Sequence, residues 1–153
     1  MSAAKRTATH WYAAKNLLIT EVSGLLELPD IEAWINGFKA AFDQLNSNSR
    51  FKIFVNLHGF KAASLEAHKK FRDIVPLTLA DYGWKTGYLG LFEEEAKTMT
   101  FRNLRGIQCV GAAHAHQDES KITLYQTRFS TDREQFFTDA AAAEKWITAL
   151  PLS

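Results

Sequence analysis

The period of the apolar positions changes several times along this chain, and each change marks a predicted element. From Pro29 to Leu45 the large apolar residues are Ile31, Trp34, Ile35, Phe38, Phe42 and Leu45, three or four apart. That spacing puts them on one face of a helix. Pro29 suits the first turn, where an amide N–H would have no partner, and Asp30 and Glu32 oppose the positive end of the helix dipole. Asn46 to Ser49 has the chemistry of a turn. From Phe51 to Leu57 the period drops to two. Phe51, Ile53, Val55 and Leu57 fall on one side and Lys52, Phe54 and Asn56 on the other, which predicts a central strand with one strongly apolar face.

The same reading extends in both directions. Residues 1–8 are small and polar and are expected to form a disordered arm. His10–Ala14 and Leu17–Ser23 flank Lys15 and Asn16 and predict a β-hairpin with a two-residue loop. Beyond Gly59, Ser64 is placed to cap a helix that carries Leu65, Phe71, Ile74 and Val75. Pro76 should end or kink that helix, because its ring removes a donor and crowds the preceding turn. Trp84–Phe92 predicts a strand. Residues 93–104 carry both signals: Glu93 to Lys97 favours helix and Met99 to Phe101 favours strand.

Ile107–His116 predicts another strand, and Asp118 a cap for a helix with Ile122, Tyr125 and Phe129 on one face. The chain closes with a compressed unit: strand Gln135–Phe137, a cap at Thr138 or Asp139, and an alanine-rich helix that Pro151 stops. Two strands followed by alternating helices and strands imply one α/β domain over residues 9–150. It is a single mixed β-sheet with an N-terminal β-hairpin and helices packed on it, its parallel pairs joined by right-handed crossovers.

Composition narrows the function classes. The 153 residues are 46% hydrophobic and 23% charged with a net charge of +1, which is no electrostatic footprint for nucleic acid or an anionic membrane. No apolar run approaches the ~20 residues that span a bilayer. The first ten residues lack the apolar stretch of a secretory leader. With Cys109 as the single cysteine there is no intrachain disulfide, and its apolar neighbours Ile107 and Val110 predict a small buried hydrophobe. A cytoplasmic protein is the expectation.

The candidate chemistry is sparse. His114 and His116 lie two apart on a predicted strand, so both imidazoles face one side, and Asp118 continues the parity. Such a set can hold zinc, iron or nickel. The structural reading takes precedence, since a catalytic zinc wants a third firm ligand and Asp118 is also the natural helix cap. His58, Ser64 and His68 could suggest a Ser/His pair, but no nucleophile elbow surrounds Ser64. Glu93, Glu94 and Glu95 read as a solvated turn, and the eight glycines form no phosphate-binding loop. No catalytic residue and no cofactor is assigned. Eleven Phe, four Trp and four Tyr fall mostly on predicted core faces. They could still leave a cleft between a helix and the sheet.

Four segments carry a family resemblance: ITEVSGLLEL, FKIFVNLHGF, AHAHQDESKITLY and REQFFTDAAAAEKWI. On these the chain resembles the SpoIIAA-like branch of the STAS superfamily, small α/β modules. The resemblance implies a non-enzymatic binding or regulatory domain. In such regulators a serine opening the second helix, preceded by aspartate, is phosphorylated by a partner kinase. Ser64 stands at that place, but Ala63 stands where the aspartate would be. The fold is also similar to that of CRAL-TRIO carriers, which implies as an alternative a carrier of a nonpolar small molecule or lipid. The second alternative is a metal-dependent enzyme using His114 and His116. A homodimer is expected through the first strand, where Trp11 and Tyr12 would sit at a sheet edge.

Overall fold

A computed structural model describes residues 4–86 and 100–152. Its sheet contains β1 (Arg6–Tyr12), β2 (Leu17–Leu26), β3 (Arg50–Asn56), β4 (Phe60–Ala62), β5 (Gln108–Ala115) and β6 (Glu134–Phe137). The helices are α1 (Leu28–Ala41), α2 (Leu65–Arg72), α3 (Ile74–Ala80), α4 (Glu119–Phe129) and α5 (Ala140–Ala149). The strand order is β1-β2-β3-β5-β6, with β4 pairing the far end of β2. β1 is antiparallel to β2, and the other pairs are parallel. This is the single mixed α/β sheet with an N-terminal hairpin that the pattern predicts.

Side-chain parity divides the interior into two layers. Leu18, Val22, Ile53, Val55 and Ala112 point to the front, where they meet Trp34, Phe38 and Phe42 of the α1 region and Phe71 of α2. Leu17, Ile19, Phe54, Ala113 and Ala115 point to the rear and meet Ala143 and Ile147 of α5. β3 is therefore covered on both faces, and Lys52, on its second side, is only 3% exposed. Its ammonium donates to the carbonyls of Thr148 (3.1 Å) and Leu150 (2.8 Å) at the end of α5. Those carbonyls have no helical donor of their own, and a cation there opposes the negative end of the helix dipole.

Several boundaries differ from expectation for identifiable reasons. Arg6, Thr7 and Ala8, expected in a disordered arm, are paired in β1, and Arg6 Nε donates to Glu21 Oε2 across the hairpin at 2.8 Å. The connection is a short 3-10 turn, Ala13–Lys15, closed by Asn16 in the left-handed region at φ 50°, rather than a two-residue loop. The helix predicted to run to Leu45 ends at Ala41 and tightens into a 3-10 turn. Arg105 satisfies the carbonyls of Phe42 and Leu45 there.

Pro76 does not end a helix. The break falls at Asp73 (φ −101°, ψ −3°), and Pro76 occupies the first turn of α3, where its missing donor costs nothing. The central strand ends at Asn56, just before Gly59. At φ +91° that glycine turns the chain so that β4 can pair with β2. Of the strand predicted at Trp84–Phe92, residues 84–86 are not strand; residues 87–92, like most of the ambiguous 93–104, lie outside the described residues.

Candidate functional site

β3 and β5 end side by side, with Leu57 N–H donating to Ala115 O at 2.8 Å. From those ends the chain leaves into α2 and α4, both on the front face. Between them lies a cleft of about 580 Å³, beyond the carboxyl ends of the parallel strands. Open α/β sheets commonly hold ligands at that position, and the volume is within the usual range for small-molecule sites. Val55, Leu57 and Phe60 line it from the sheet and the β3–β4 turn, Phe71 and Val75 from α2 and α3, and Ile122 and Phe136 from the far side.

The polar lining is concentrated where β5 runs into α4. His114 and His116 both line the cleft, as their parity predicts, and Asp118 does too. Their roles diverge. His114 Nε2 lies 2.7 Å from Glu134 Oε2, and its ring stacks on Phe136 with centroids 4.6 Å apart. Both members of this pair are buried, so each supplies the hydrogen bond that the other would lose to desolvation. Asp118 caps α4 by accepting the Lys121 N–H at 3.1 Å, as expected, and its own N–H donates to His116 Nδ1 at 3.0 Å.

An imidazole nitrogen that accepts cannot carry the proton, so neutral His116 keeps its N–H on Nε2. Burial pushes the His116 pKa down, and the Lys121 charge pushes it further. Among the described residues no group of three or more His, Cys, Asp and Glu side chains gathers as a metal site. His114 is turned to Glu134 and His116 to the α4 amide, so the strand parity does not make them converge on a third ligand.

Lys121 rises from the first turn of α4. It is half-buried, its Nζ lies 5.7 Å from the centre of the Tyr125 ring, and burial lowers its pKa. Across the cleft, His68 is lowered by burial and then by the charges of Lys121 and Arg72. Gln117 straps the two strand ends together, accepting from Gly59 N–H at 2.7 Å and donating to Phe60 O at 2.9 Å.

Ser64 is exposed at the head of α2 and accepts the Ala67 N–H at 3.1 Å, the capping role its position predicts. Among the described residues no side-chain hydrogen bond joins it to His58 or His68. Cys109 is buried, its thiol pKa raised by desolvation. Glu93, Glu94 and Glu95 lie outside the described residues.

Glu134, Lys121 and Gln117 are the site residues that pattern reading misses. Glu134 reaches His114 over twenty positions of sequence, and neither it nor Lys121 carries a local signal that separates it from a surface charge. Among the described residues no helix is long and apolar enough to cross a membrane. Comparison with models of known protein families, with curated proteins and with solved structures finds no match.

Proposed function

We propose that this chain is a non-enzymatic binding domain of the STAS-like kind that holds a largely nonpolar small molecule in the cleft between α2, α4 and the sheet. The observation that carries the reading is the cleft itself: about 580 Å³, walled by Phe60, Phe71, Val75, Ile122 and Phe136, at the carboxyl ends of β3 and β5. A pocket lined mainly by apolar side chains with a few convergent polar groups is the usual form of a ligand site. The strand order, with an antiparallel first strand and parallel pairs after it, supports the resemblance. Ser64 enters this reading as a helix cap.

Native mass spectrometry and solvent extraction of the purified protein test it. The expected result is a co-purifying nonpolar molecule, and a rise in melting temperature when a fatty-acid-sized ligand is added to stripped protein, because a ligand that binds only the folded state stabilises it by mass action. Ala62→Trp, which puts a large ring on the cleft wall, should abolish the rise. A protein that carries nothing, and whose melting temperature no lipid moves, would refute the reading.

A further inference from the structure

The cleft is apolar in its body but electrically one-sided at the end formed by β5 and α4. His116 and Lys121 line that end, and Lys61 of β4 with His68 and Arg72 of α2 line the cleft across from it, against Asp118 as the lining carboxylate among the described residues. Asp118 is engaged at the helix head, where its Oδ1 accepts the Lys121 backbone N–H. Among the described residues no carboxylate lies within ion-pairing distance of Lys121 Nζ.

The Tyr125 face beneath that ammonium attracts it but does not neutralise it. Asp118 acts on the half-withdrawn ammonium only from beyond ion-pairing distance, which leaves the cost of its burial partly uncompensated, and an anion from outside would lower that cost. His116 adds a neutral donor beside it: with Nδ1 occupied by the Asp118 N–H, its remaining N–H is at Nε2. The whole chain has a net charge of only +1, so this concentration of basic groups is local to the cleft.

We propose that the bound molecule is an amphipathic acid, its apolar body lying along Phe60, Phe71 and Phe136 and its anionic group received by Lys121 Nζ with His116 Nε2 as second donor. This rests on the cleft being the binding site. Free carboxylates and phosphate monoesters share the required chemistry, and chain-matched probes separate them.

The test is calorimetric titration of the lipid-stripped protein at neutral pH with decanoate, decyl phosphate and decanol. One anion should bind about tenfold or more tightly than the alcohol, as a charge-assisted hydrogen bond in a sheltered site warrants. The anion that gains more identifies the head group. Lys121→Met keeps the aliphatic stem and should erase the margin between anion and alcohol; Lys121→Arg should keep most of it. Thermal melts of each variant show that the fold is retained, and Lys121→Gln provides a second charge-free variant. Equal binding of acid and alcohol, or a margin that survives in both charge-free variants, would overturn the proposal and leave an apolar site in place. If none of the three probes binds, both the cleft reading and this inference fail.

Discussion

The front layer is solid at one end and hollow at the other, although the same sheet supports both. At the α1 end, large rings interlock. Trp34 stacks on Phe38 at 5.2 Å and Phe42 on Tyr82 at 4.6 Å, while Phe51 meets Phe42 and Tyr82 edge-on at 5.6 and 5.8 Å. At the α2–α4 end the strand beneath is β5, which offers Ala112 and His114 to that side. The Phe71 ring leans back towards Trp34 (4.9 Å) and Phe60 (4.4 Å) instead of across to α4. Beneath the cleft β5 presents Ala112 and His114, and the Phe71 ring packs on the α1 side of the gap rather than on the rings of α4.

Core truncations test this contrast most directly. Phe38→Ala should cost about 3–5 kcal/mol, because the fully buried ring leaves a void that interlocked neighbours cannot fill. Leu57→Ala, on the cleft wall, should cost about 1–2 kcal/mol, since one side of that leucine has few contacts to lose. Urea midpoints compare them, and similar losses would show that the two ends are packed alike. Next comes Trp34→Phe. It keeps a ring but loses the buried bond from Trp34 Nε1 to Thr20 Oγ1 at 2.8 Å. Thr20 is left with the Thr9 hydroxyl, also at 2.8 Å. The expected loss is about 1–3 kcal/mol.

Smaller effects are expected on the hollow side. Ser64→Ala should cost about 1 kcal/mol and Ser64→Asp much less, as aspartate caps equally well. Chemical denaturation decides it, and a neutral Ser64→Ala would remove the capping role. The smallest effect is a pH dependence. Folding lowers the pKa of His116 and His68 below the ordinary 6.5. As pH falls from about 6.5 towards the folded values, the unfolded chain binds protons first, so stability is lost in that window. His116→Asn with His68→Gln should flatten that part of the melting-temperature profile, and an unchanged slope would place the titration elsewhere.

Much of the solid end was legible in the sequence and much of the hollow end was not. The α1 stripe and the β3 alternation are local signals, and both led to the right layer. The alternation also put Lys52 opposite an apolar face, but not inside a second layer, because its acceptors are the last carbonyls of a helix at the other end of the chain. His-x-His parity put both imidazoles on one side correctly. It could not show that one would turn to Glu134 and the other to a backbone amide. Helix caps at Ser64 and Asp118 were readable because a cap is settled within four residues. The cleft was not, because it depends on where α2 and α4 lie over the sheet, and the pattern cannot position them.

The bond from Lys52 to Leu150 spans 98 positions. Contacts that distant form only after most of the chain is available. The rear layer over β3 is complete only when the final helix is in place. Gly111 helps that helix seat closely, since a Cβ there would lie 2.5 Å from Leu150 Cδ2. A chain cut before Thr148 would hold the Lys52 ammonium against the sheet with neither carbonyl to receive it, so the end of α5 fastens the rear layer to β3.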